Sequence, residues 1–109
     1  MFKYFSVIEQ LGDTLHIFQF QKMMYELYFH KDSKRGKEDT YGWLMDEVKE
    51  LGEALRMEDK KALENEFADV IAWLASLANV VNIDLEKAAL TKYAHKCPKC
   101  NKSPCQCPF

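Results

Sequence analysis

Residues 44–81 read LMDEVKELGEALRMEDKKALENEFADVIAWLASLANVV, and their pattern decides the fold. Leu44, Val48, Leu51 and Leu55 recur at spacings of four, three and four; Leu63, Phe67, Val70, Leu74, Leu77 and Val81 form a second such stripe. This is the 3.6-residue period of two amphipathic helices. Glu58-Asp59-Lys60 breaks the pattern between them. A connection of about three residues folds two helices back on one another, so the segment predicts an antiparallel hairpin. The later helix is also apolar outside its stripe, at Ile71, Ala72, Trp73, Ala75, Ala78 and Val80. A helix apolar nearly all round is buried on several sides, in a bundle or at a subunit contact.

Upstream, Asp39 or Thr40 is a good N-cap for the first helix of the hairpin. Residues 31–39 carry no periodic apolar position and read as a polar connection. Before them, Asp13 or Thr14 caps a helix running to about Phe29, with Phe20, Met23, Met24 and Leu27 on one stripe. Phe18, Phe20, Met23, Met24 and Tyr25 read as core. Residues 1–12 are ambiguous, because Ser6-Val7-Ile8-Glu9 has the form of a capping box but Gly12-Asp13 follows closely. Downstream, Asn82 suits a helix stop and Asp84 a new N-cap, so Leu85 to about His95 is a further helix. Pro98, Pro104 and Pro108 are the only prolines, which leaves residues 1–97 free for long helices. The expectation is an all-α, antiparallel helical bundle over residues 1–95 with a short Cys-rich tail over 96–109.

Composition narrows the function classes. A chain of 109 residues, 48% hydrophobic and 29% charged, is an ordinary globular domain without a disorder signature. Its net charge of −2 argues against nucleic-acid binding through bulk positive charge. No apolar run approaches the roughly 20 residues that span a bilayer. Met1-Phe2-Lys3-Tyr4-Phe5 lacks the apolar stretch and cleavage site of a secretory signal, so the expected compartment is the cytoplasm.

The hairpin carries carboxylates at i, i+3 spacing, Glu47 and Glu50 on one helix, Glu66 and Asp69 on the other. At about 100° per residue, each pair lies about 60° and 120° to the same side of its own apolar stripe. Offsets of the same sign fall on one margin when two helices face each other antiparallel. Heights measured from Asp59 agree to within two residues, about 3 Å of helix rise. Four carboxylates therefore converge at the edge of an apolar core, where they resist ionisation unless a cation is present. Oxygen-only ligands select a hard dication, magnesium or manganese, whose open positions accept phosphate oxygens. None of the four has a lysine four positions on, so helix salt bridges do not explain them. A di-iron bundle needs Glu-x-x-His on two helices; this chain has Glu-x-x-Glu and Glu-x-x-Asp, and His16, His30 and His95 are out of register. Trp43 lies on the same angular margin, placed either to stack on a base or to pack against a neighbouring helix or subunit.

Leu44 to Leu55 followed by Glu66-Phe67-Ala68-Asp69-Val70 resembles the MazG-like family of all-α nucleoside triphosphate pyrophosphohydrolases, whose signature is Glu-Glu-x-x-Glu and then Glu-x-x-Asp. The resemblance covers about residues 14–93. It implies a homodimer or homotetramer and magnesium-dependent cleavage of a nucleoside triphosphate to monophosphate and pyrophosphate. Glu47, Glu50, Glu66 and Asp69 match the metal ligands, and Glu47 is the first choice for the group that takes a proton from water. Asp46 stands where relatives carry Glu; it lies about 160° from the stripe, which suits a solvated side chain. Relatives also carry a basic residue near Lys92, a candidate for contacting phosphate, and an Asp-x-x-Arg-Gly like Asp32 to Gly36. The alternative reading is a non-catalytic nucleotide- or metal-binding helical module with a zinc-stabilised interaction tail.

Cys97, Cys100, Cys105 and Cys107 fall within eleven residues. In a reducing compartment such a cluster reads as a metal site before it reads as disulfides. Cys97-Pro98-Lys99-Cys100 is a standard zinc half-site; Cys105-Gln106-Cys107 is one residue tighter than usual. Four thiolates close a tetrahedral zinc shell, so the expected role is structural, with His95 as a substitute ligand. Lys96, Lys99 and Lys102 interleave with the cysteines, the one feature that favours a zinc-bearing nucleic-acid binder instead.

Overall fold

The computed structural model of the chain describes residues 15–108. Three helices follow one another: α1 (Ile17–Met57), α2 (Lys60–Val80) and α3 (Leu85–Lys92). No strand occurs among the described residues, so the fold is all-α as the periodicity predicts. The Ser6 to Glu9 capping box and the Asp13 or Thr14 cap lie outside the described residues. The first described cap is His16, whose backbone N–H donates to Gln19 Oε1 at 2.7 Å.

The first correction concerns residues 31–39, which are helical rather than a loop. They belong to α1, which is broken at Gly36 alone (φ 82°, ψ 172°). This left-handed φ is one that glycine adopts without steric cost. Thr40 does not cap a new helix. It lies inside α1, fully buried, and its Oγ1 donates to the Gly36 carbonyl at 2.7 Å. Asp39 is likewise inside the helix and exposed. The periodicity argument failed here because it equates polar with solvated. Asp32 is only 2% exposed, and its Oδ1 accepts from Arg35 Nη1 at 2.6 Å. An internal ion pair one turn apart lets Asp32 face the core while Lys31, Ser33, Lys34, Lys37, Glu38 and Asp39 stay exposed.

The hairpin forms as expected. Glu58 (φ 53°) ends α1, and Asp59 caps α2 by accepting from the backbone N–H groups of Lys61 and Ala62. Contacts then pair off in opposite chain directions. Gln21 meets Asn79, Trp43 stacks on Trp73, and Glu47 meets Asp69 and Glu66. Thus α1 descends along α2 from its end toward its start.

At the far end of α2, Asn82 adopts a left-handed conformation (φ 58°), with Ile83 N–H donating to the Ala78 carbonyl and Asn82 N–H to that of Asn79. This pair of bonds is the Schellman stop, and Asp84 caps α3 two residues later by accepting from Lys87 N–H. Helix α3 ends at Lys92, three residues short of the expected His95. Buried Gln21 fastens the corner: its amide donates to Asn79 Oδ1 and the Ile83 carbonyl, and its Oε1 accepts from Leu85 N–H.

Burial departs from the predicted stripes. The buried apolar residues are Met24, Leu44, Ala54, Ala75 and Ala78. Of the expected first-helix core, Met24 is buried and Phe20 half-buried, whereas Phe18, Met23, Tyr25 and Leu27 are exposed. On the hairpin, Val48, Leu55, Phe67, Leu74 and Val81 are exposed, and so is Ile71 beside them. The helices approach through small side chains, and the large apolar ones remain on the outside of the single chain. Among the described residues no single helix is long and apolar enough to cross a membrane.

Candidate metal centre and adjoining pocket

Glu47 on the second arm of α1 and Glu66 and Asp69 on α2 each bring a carboxylate oxygen within 4.8 Å of the other two. All three residues are half-buried. Glu47 and Asp69, 22 positions apart in the chain, are brought together by the hairpin, whose margin they share. Glu50 stands outside this mutual grouping and is exposed, so the structure gathers three of the four expected carboxylates tightly and leaves the fourth at the rim. Asp46 is exposed, as its angle predicts.

The electrostatics of the cluster are those of an unneutralised acidic site. Burial pushes the Glu47 carboxyl up to about 7, reinforced by its hydrogen bond to Glu50 and the charges of Glu50, Asp69 and Glu66. Glu66 is also raised, first by burial and then by the charges of Glu50 and Asp69. The ion pairs Arg35–Asp32 and His16–Glu86 do not reach these groups. Glu47 Oε2 and Glu66 Oε2 are both buried without a hydrogen-bond partner. Two orphaned, inward oxygens in an all-oxygen set fit a hard dication, which would satisfy both and reverse the repulsion.

Asp69 also lines a pocket of about 310 Å³ together with Met24, Tyr28, Lys31, Asp32, Arg35, Ala72, Trp73 and Ser76. The cluster and the pocket are therefore contiguous. Trp73 forms an aromatic wall: Trp43 stacks on it at 5.6 Å with the rings 11° apart, and the Arg35 guanidinium lies 4.8 Å from a Trp73 ring centroid. Trp43, half exposed, thus packs against the neighbouring helix at the margin where its angle places it. Asp32 brings a third orphan, this one to the pocket, because its Oδ2 is buried without a partner. Lys92 sits at the end of α3, its Nζ 5.7 Å from the ring of Tyr93, and no described contact joins it to the carboxylates.

Sequence reasoning treated Trp73 as apolar girth and Asp32 to Gly36 as a loop. A signal was present for the first, since Trp73 follows Asp69 by one turn and shares its face. No local signal marks Asp32 as buried.

The four cysteine sulfurs also converge within 4.8 Å of one another. Backbone N–H groups pull the Cys97 and Cys100 thiols down, Cys100 to about 6, while hydrogen bonds to the other thiols push Cys107 up to about 11. His95 is exposed and is not part of the group.

A comparison with curated proteins gives no match. A family model does: the MazG nucleotide pyrophosphohydrolase domain matches residues 35–101, which takes in α2, α3 and the arm of α1 that bears Glu47. With more than half of its length matched and the paired acidic motifs brought to one margin, the chain belongs to the MazG nucleotide pyrophosphohydrolase family.

Proposed function

We propose that the chain is a magnesium- or manganese-dependent nucleoside triphosphate pyrophosphohydrolase, releasing nucleoside monophosphate and pyrophosphate. The observation that carries this reading is the cluster of Glu47, Glu66 and Asp69, with two orphaned oxygens, beside a pocket that Asp69 and Trp73 both line. Glu47, Glu66 and Asp69 hold the cation, and Glu50 joins them from the rim. A bound dication supplies neutralisation of phosphate charge and acidification of water.

The chain's own groups divide the remaining work. Trp73 and Trp43 offer an aromatic edge for a base, and the Trp73 face is kept in place by Arg35. Lys31 brings a positive charge to the pocket wall. Lys92 is the second candidate for phosphate contact. Glu47, ionised once the cluster is neutralised, is the group that accepts the proton of the attacking water. Phe67, Ile71 and Leu74 on α2, with Val48 and Leu55 on α1, form the face of a homodimer or homotetramer, because so thin a single-chain core leaves them in water.

Pyrophosphate release from a panel of canonical and modified nucleotides, with magnesium and with chelator, tests the reading. Turnover of at least one nucleotide that chelation abolishes is expected. Nucleotide binding without turnover across the panel overturns the enzyme and leaves a binding module. Sedimentation tests the assembly, and a monomer at micromolar concentration contradicts it.

A further inference from the structure

We propose that residues 97–107 form a closed tetrathiolate zinc centre, a structural site separate from the carboxylate cluster. Among the described residues beyond α3 there is no helix, and from Tyr93 to Pro108 Cys97, Cys100 and Cys107 are the only ones not exposed. Such a segment has no apolar core with which to offset its ordering entropy. Its four thiols nevertheless meet.

The spacing fits one ion. Cys97 Sγ and Cys107 Sγ are 3.8 Å apart, and Cys100 Sγ and Cys105 Sγ are 3.9 Å apart. Zinc–sulfur bonds of about 2.3 Å place the corners of a tetrahedron about 3.8 Å from each other. None of the four cysteines is in a disulfide. The short spacing of Cys105 and Cys107 proves no obstacle, because each also lies against a cysteine of the first half and all four sulfurs share one group.

The backbone is arranged for sulfur that carries charge. Asn101 N–H donates to the Cys97 carbonyl at 2.8 Å, and Cys97 N–H to the Lys102 carbonyl at 3.0 Å. This tight turn requires the residue after Cys100 to be left-handed, and Asn101 has φ 60°. Three N–H groups then face sulfur: Lys99 to Cys97 at 3.4 Å, Gln106 to Cys100 at 3.4 Å, and Cys107 to Cys105 at 3.3 Å. Soft thiolates select zinc over the hard dication of the carboxylates, and among divalent ions zinc binds more tightly than iron. Four protein ligands leave no open position, so the ion staples the tail and activates nothing.

The full chain, purified without chelator, is assayed for metals by mass spectrometry. One zinc per chain is expected, with thiols that react with a disulfide reagent only after the zinc is stripped. Cobalt in its place gives the charge-transfer and d–d absorption of tetrahedral tetrathiolate. Cys97→Ser with Cys100→Ser abolishes zinc binding while circular dichroism retains the helices. Asn101→Gly keeps zinc, and Asn101→Val weakens it roughly tenfold. Zinc below about a tenth of an equivalent that added zinc does not raise, iron in its place, or a mass reduced by the hydrogens lost to disulfides each overturns the proposal. Equal zinc affinity in the two Asn101 variants overturns the turn geometry on which it rests.

Discussion

The carboxylate cluster and the cysteine tail gather their groups in opposite ways. Glu47 and Asp69 are 22 residues apart and meet because two helices pack; Cys97 and Cys107 are ten apart and meet because the backbone turns. The acidic groups meet at a cost, shown by raised carboxyls and orphaned oxygens. The sulfurs meet with backbone N–H groups already turned toward them. A site built by packing inherits the stability of the fold around it, whereas a site built by a local turn needs only its own ion.

The strongest way to break this comparison is to remove one ligand. Glu47→Gln should lower pyrophosphate release by more than about 100-fold, beyond the loss typical of supporting residues, with the zinc content of the tail unchanged. A parallel loss of zinc would mean that the two sites are not independent.

A support of the packed site comes next. Arg35→Ala leaves Asp32 charged and buried without its partner, so chemical denaturation should show a loss of about 3 kcal/mol. The tail should keep its metal. Gly36→Ala is milder. A methyl group there would meet nothing within 4 Å, so the cost is that of the backbone alone, φ 82° with ψ 172°, a region open essentially to glycine, about 2 kcal/mol.

Proton linkage gives a gentler test. The Glu47 carboxyl titrates at an ordinary 4.5 when unfolded and is raised to about 7 in the fold, so the native state binds the extra proton. Its contribution to the stability of the magnesium-free protein is therefore fully present below 4.5 and is lost as pH rises through 7. Thermal melts should show that decline, with manganese restoring the loss at pH 8 and doing little at pH 5. Glu47→Gln should flatten the slope. The smallest effect is expected from the other site: Cys97→Ser with Cys100→Ser should change pyrophosphate release by less than about twofold, as for substitutions remote from packed features.

Much of the site was legible because the helix period converts spacing into angle. Glu47, Glu66 and Asp69 were placed together by that arithmetic alone. Glu50 was placed with them at the same offset of about 120° as Asp69, yet it is exposed at the rim, so angle alone does not separate the two. Asp59, Asn82 and Asp84 were read correctly as punctuation because capping is a matter of a few adjacent residues. Gly36 was not: residues 31–39 look like a loop until Asp32 and Arg35 are seen to pair inside the molecule.

The chain alone therefore determined the helical class, the hairpin, its acidic margin and the cysteine spacing, because period, caps and turns act within a few residues. Only the packed structure decided that Asp32, Thr40 and Gln21 face inward, that Trp73 walls a pocket beside Asp69, and that Phe67 and Leu74 face outward. Burial is settled by what another segment supplies, an arginine, a carbonyl or a small side chain that lets two backbones approach, and no local pattern states that in advance.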